Sequence, residues 1–121
     1  MAERILVIDQ ERTVQAILER AGYEVLTAPD GIDILDKAQT EKPDLIVCDS
    51  VMPRMDGFEL VRNLKAADST CRIGTLMIGP GADTDVHRGW TSGVDCYLTS
   101  PPEEEELRKF VRKLLRTREP V

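Results

Sequence analysis

The chain has 121 residues, a formal charge of −6, 41% hydrophobic residues and 31% charged residues. That size and balance suit a single domain, residues 1–121, with a core of its own. The acidic excess argues against a general attraction to nucleic acid or to an anionic membrane surface, and no apolar run approaches the length of a membrane span. Met1-Ala2-Glu3-Arg4 leads into a strand pattern rather than a leader peptide. Cys48, Cys71 and Cys96 form no C-x-x-C pair, which points to a reducing compartment, the cytoplasm.

In chain order, the first strand covers residues 4–9. Val14, Ile17, Leu18 and Ala21 then recur at helical spacing, and Gly22 closes that helix. Only about twelve residues separate Asp9 from Gly22, so the helix is short and covers less of its sheet face. Residues 23–27 read as the second strand. Asp30 caps a helix carrying Ile32, Leu35 and Ala38, and Lys42-Pro43-Asp44 breaks it. Leu45-Ile46-Val47-Cys48 is the third strand, a branched apolar run that stops at Asp49. Cys48 alternates with Asp49 and reads as a small buried hydrophobe.

Phe58, Val61, Leu64 and Lys65 belong to a third helix. Residues 75–78 are the fourth strand, and Gly79-Pro80-Gly81 leads to a short fourth helix over residues 85–91, where Trp90 reads as a packing anchor and His87 as a surface residue. Gly93-Val94-Asp95 turns into a fifth strand at 96–98. The last helix carries one apolar stripe, Leu107, Phe110, Val111, Leu114 and Leu115. Its acidic start (Glu103 to Glu106) and basic end (Arg112, Lys113, Arg116) both suit the helix dipole. Arg118-Glu119-Pro120-Val121 reads as a tail with no output domain after it. Strands alternating with helices in this order give an α/β, flavodoxin-like doubly wound (βα)5 fold, parallel sheet order 2-1-3-4-5.

In such a sheet, chemistry sits beyond the carboxyl ends of the strands. Two strands end there on carboxylates, Asp9 and Asp49, an arrangement suited to a hard divalent cation. With Ile5-Leu6-Val7-Ile8-Asp9, Asp44-Leu45-Ile46-Val47-Cys48-Asp49, Met52-Pro53-Arg54-Met55-Asp56-Gly57 and Asp95-Cys96-Tyr97-Leu98-Thr99 before Pro101, the chain resembles the receiver domains of two-component response regulators. The resemblance runs from about residue 4 to residue 116.

It implies that Asp49 is the phosphoacceptor, supplied by a histidine kinase or a small phosphodonor. It implies an Mg²⁺ site formed by Asp9, Asp49, the Val51 backbone carbonyl and, weakly, Gln10. Gln10 stands where the family has a second carboxylate, so Mg²⁺ binding is expected to be weak or absent. Glu11 could substitute for that carboxylate, but at the helix start its side chain reads as offset from the site. Gly79 stands where the family has a Ser or Thr that bonds the phosphoryl oxygen. Ser100 stands where it has a Lys, and a hydroxyl brings no charge. Tyr97 falls at the family's aromatic switch position. Thr99 faces away by strand alternation, and a cis Ser100–Pro101 bond is expected.

Two function classes stay open. One is an atypical receiver with impaired Asp phosphorylation, a protein-binding module rather than an enzyme. The other is an ordinary phosphoaccepting single-domain regulator. A flavin-binding flavodoxin is disfavoured, because Asp9-Gln10-Glu11 is too acidic to cradle a phosphate. The expected partner is a histidine kinase or another signalling protein, meeting the fourth helix, fifth strand and fifth helix over roughly residues 85–116. No nucleic acid contact by this chain alone and no membrane contact are expected.

Overall fold

The computed structural model describes residues 2–81 and 92–117. The described elements are β1 (Arg4–Ile8), α1 (Arg12–Arg20), β2 (Glu24–Ala28), α2 (Gly31–Glu41), β3 (Leu45–Asp49), α3 (Gly57–Ala66), β4 (Gly74–Gly79), β5 (Cys96–Thr99) and a C-terminal helix (Glu104–Thr117). The short helix expected over residues 85–91, with His87 and Trp90, lies outside the described residues.

The five strands form one parallel sheet in the order β2-β1-β3-β4-β5, the expected flavodoxin-like arrangement. β1 and β3 are neighbours, with Ile5, Leu6 and Val7 opposite Leu45, Ile46 and Val47. Apart from Arg4 and Asp49 at their outer ends, both are buried because helices cover both faces of the sheet. On one face Leu6, Ile8, Ile46, Cys48 and Met77 meet Ile34 and Ala38 of α2 and Phe58, Val61 and Leu64 of α3. On the other, Ile5, Val7, Val47 and Ile78 meet Val14, Ile17 and Leu18 of α1 and Leu107, Val111 and Leu115 of the C-terminal helix. Cys48 is fully buried, as its place beside Asp49 requires, and burial pushes its thiol pKa up.

The helix caps follow the sequence. Gly22 takes φ +97 just beyond α1, a conformation that favours glycine. Asp30 caps α2 by accepting from the Asp33 N–H at 2.9 Å, and Asp56 caps α3 by accepting from the Glu59 N–H at 2.9 Å. α1 has nine residues, the short helix expected. Its N-terminal cap is Glu11, whose side chain makes no capping bond.

Candidate functional site

Because β1 and β3 run parallel side by side, their carboxyl ends open on the same edge of the sheet. The chain leaves β1 in a tight turn, with the Glu11 N–H donating to the Ile8 carbonyl at 3.1 Å. The two central residues of that turn, Asp9 and Gln10, are exposed. The Gln15 amide steadies it by donating to the Asp9 carbonyl at 3.1 Å. Glu11 closes the turn and comes back toward the sheet, half-buried. Its carboxyl is hydrogen-bonded to that of Asp49. The expectation that Glu11 is offset is thereby corrected. Helix α1 begins so soon after β1 that the residue closing the turn, which does no capping, is the one aimed at β3.

Asp49 ends β3 half-buried. Its Oδ1 atom is buried and has no hydrogen-bond partner among the described residues. Its pKa is pushed up to about 8, chiefly by burial, then by the hydrogen bond and the negative charge of Glu11.

The loop after Asp49 is pinned on several sides. The Ser50 N–H donates to the Ile78 carbonyl at 2.9 Å, and the Gly57 N–H donates to the Ser50 carbonyl at 3.0 Å. Met52 is buried. The Gly31 N–H donates to the Pro53 carbonyl at 3.3 Å. Arg54, at φ +68, reaches Asp30 Oδ2 at 3.1 Å. The Asp33 N–H first, and then Arg54, hold the Asp30 carboxyl below the usual carboxylate range. Gly57 packs so closely that a Cβ there would lie 2.2 Å from the Asp49 carbonyl oxygen. The Met-Pro-Arg-Met-Asp-Gly run therefore fixes the backbone of the acidic residue it follows.

The opposite wall comes from β4 and β5, where the Ser100 N–H donates to the Gly79 carbonyl at 2.6 Å. The Ser100–Pro101 bond is cis, as expected. A cavity of about 320 Å³ results, lined by Glu11, Asp49, Ser50, Val51, Ile78, Gly79, Pro80 and Ser100. The structure thus brings together Asp49, Val51, Gly79 and Ser100 from the sequence-based site. Asp9, Gln10 and Tyr97 do not line this cavity. Tyr97 is half-buried on β5, and its hydroxyl accepts from the Gly81 N–H at 3.5 Å. Thr99 stands against Gly81, outside the lining.

Among the described residues no Lys or Arg lines the cavity. None of them form a group of three or more His, Cys, Asp or Glu able to hold a metal. A divalent cation here would rest on at most two carboxylates, backbone carbonyls and water, a mode that suits Mg²⁺. The unpartnered Oδ1 of Asp49 is an acceptor with the chemistry such an ion requires.

The response regulator receiver domain family matches residues 5–112. The chain is 37% identical over 123 residues to the alkaline phosphatase synthesis transcriptional regulatory protein PhoP of Bacillus subtilis (strain 168), covering 98% of this chain and 51% of PhoP. It superposes on a putative response regulator from Chloroflexus aurantiacus J-10-fl with a TM-score of 0.90 at 29% identity, covering 96% of this chain and 99% of that one. The receiver domain of sensor histidine kinase PA1611 from Pseudomonas aeruginosa PAO1, described with a magnesium ion coordinated in its active-site cleft, shares the fold, with a TM-score of 0.88 at 23% identity over 96% of this chain and 99% of that one. A parallel five-stranded sheet with an acidic cleft at its carboxyl edge defines an α/β protein of the doubly wound class. Within that class, the chain belongs to the response regulator receiver domain family. It spans about half the length of the curated relatives it matches.

Proposed function

We propose that this receiver accepts a phosphoryl group on Asp49 slowly and signals mainly through protein contacts. The observation that carries the reading is the cavity wall facing Asp49: Gly79 and Ser100 stand there, and no cationic side chain among the described residues does. In the transfer step an Asp49 oxygen attacks phosphorus, the bond from phosphorus to the donor breaks, and the donor's leaving group departs. Negative charge gathers on the phosphoryl oxygens during that step. Fixed opposite charge aimed at such oxygens is often the largest catalytic contribution. Ser100 offers one hydroxyl there and Gly79 offers no side-chain donor. Asp49 and the Val51 carbonyl would hold an Mg²⁺ ion, which would supply the missing positive charge.

The donor is a histidine kinase or a small phosphodonor. The contact face includes β5 and the C-terminal helix, where Lys109, Arg112, Lys113 and Arg116 are exposed. No described helix is long and apolar enough to cross a membrane, and the proposed location is cytoplasmic.

Incubation with acetyl phosphate and Mg²⁺, followed by intact mass measurement, tests the reading. Labelling should be slow, absent in Asp49→Asn and faster by about tenfold or more in Ser100→Lys, since a correctly aimed cation stabilises the charge in flight. Rapid labelling of the unmodified chain, with no gain from Ser100→Lys, would establish an ordinary phosphoaccepting receiver.

A further inference from the structure

We propose that Glu11 supplies the second carboxylate of the divalent-cation site, in the place that the sequence assigns to Asp9 and Gln10. The inference rests on the reading of Asp49 as the centre of the site. Glu11, at the N-terminal cap of α1 just beyond β1, and Asp49, at the end of the neighbouring parallel strand β3, line one cavity, together with Val51. Asp9 and Gln10 occupy the exposed tip of the turn and line none of it.

Three further features fit this role. Glu11 sits at the N-terminal cap of α1, yet its side chain caps nothing, so no helix bond competes for its carboxyl. Its backbone is anchored on both sides, by the Glu11 N–H donating to the Ile8 carbonyl at 3.1 Å and by the Gln15 N–H donating to the Glu11 carbonyl at 3.0 Å. Asp49 Oδ1, meanwhile, is buried without a partner among the described residues. Two carboxyl groups held in contact, one with an orphaned oxygen, leave negative charge and lone pairs unsatisfied in a half-dry cleft. A small hard cation satisfies both, and Mg²⁺ commonly binds through one or two carboxylates while keeping several waters. The tight turn after β1 is what makes the substitution work, because it brings the turn-closing residue to the cleft.

Binding is the readout, so labelling of Asp49 does not enter the test. Mg²⁺ and Mn²⁺ titrations by calorimetry on the full chain should show binding weakened by about tenfold or more in Glu11→Gln, because one of two adjacent charges is removed. Asp9→Asn and Gln10→Ala should change the affinity by less than about threefold, since exposed charge is well screened. Thermal unfolding without metal checks that each variant folds. A second measurement needs no variant: Mg²⁺ should shift the side-chain carboxyl ¹³C resonances of Glu11 and Asp49 and leave that of Asp9 in place. Loss of binding in Asp9→Asn with binding kept in Glu11→Gln overturns the inference. So does a shift of the Asp9 resonance without one at Glu11, and so does no binding at millimolar Mg²⁺. If Mg²⁺ binds through Glu11 but Asp49 takes no phosphoryl group, the inference stands and the proposed phosphoacceptor function fails.

Discussion

Asp49 keeps its proton more tightly in the folded chain than in the unfolded one, and this has a definite sign. Its pKa rises from an ordinary 3.8 to about 8 on folding. The stabilising proton is fully bound in both states below the unfolded value. As pH climbs through the interval, the unfolded chain releases its proton first, so stability is lost progressively up to about pH 8. Solvent on the open side of the cleft screens the effect, leaving on the order of 1–3 kcal/mol. Metal-free protein should therefore show a falling melting temperature across that window, and Asp49→Asn should flatten the curve and raise the melting temperature at its alkaline end. An unchanged slope in Asp49→Asn would show that another group sets it. Added Mg²⁺ should lift the alkaline end of the curve, because an ion that binds only the folded state stabilises it. Gly57 offers a steric test at the same place. A Cβ there would lie 2.2 Å from the Asp49 carbonyl oxygen and 3.1 Å from the Ser50 Cα, both backbone atoms that cannot swing aside. Gly57→Ala should cost about 1–3 kcal/mol in urea unfolding, the usual range for overpacking, and should also weaken Mg²⁺ binding by moving Asp49. Wild-type stability and affinity in that variant would contradict the close packing.

At the scale of elements, the strongest sequence signals are the ones the structure repeats. The runs at residues 5–8 and 45–48 contain only apolar side chains, and all eight residues are fully buried, as a sheet covered on both faces demands. The stripe on the last helix buries Leu107 and Val111 completely, while Phe110 and Leu114 stay half-buried at its edge. Leu107→Ala should accordingly cost about 2–5 kcal/mol in chemical unfolding. Arg20→Ala, which removes an exposed 3.2 Å contact from α1 to Glu104, should cost less than about 1 kcal/mol. Equal losses in the two variants would contradict this division between core and surface. What sequence could not supply was the direction of side chains in turns. Alternation along β5 places Thr99 away from the cleft, and Ser100, the residue just beyond the strand, lines it. No such period governs Asp9, Gln10 and Glu11. Their directions depend on the turn that joins β1 to a shortened α1, and on the cleft that the Glu11 carboxyl finds in front of it. The short helix and a Glu at a capping position were the only advance signs. The tie from Arg54 to Asp30 was equally hidden, since it joins residues 24 apart through two loops.

For the whole molecule, the question is how an event at Asp49 reaches a protein-contact face. Sheet order puts β4 and β5 beyond β3, so a signal leaving Asp49 toward β5 crosses β4 at Gly79. A change of state follows only if the modified site makes contacts in one conformation that it does not make in the other. Gly79 has no side chain with which to grip a phosphoryl oxygen, and Ser100 has no charge. Tyr97 is meanwhile held half-buried, with its hydroxyl against the Gly81 N–H at 3.5 Å. On the proposed reading, mechanical coupling from Asp49 to Tyr97 is weak, because neither Gly79 nor Ser100 brings a charged side chain to the phosphoryl group. Beryllofluoride, a mimic of the phosphoryl group, should alter amide hydrogen exchange around Asp49 and Val51 while leaving β5 and the C-terminal helix almost unchanged. Restoring a hydroxyl and a cation together, in Gly79→Thr with Ser100→Lys, should extend the protection change to residues 96–99. The pair is needed because the cation fixes the mimic and the hydroxyl then moves β4 toward it. Gly79→Thr alone should do less, lacking an anchored ligand to approach. If the unmodified chain already shows a large exchange response at β5, coupling runs by another route, and the slow, weakly transmitted signalling proposed for this receiver is wrong.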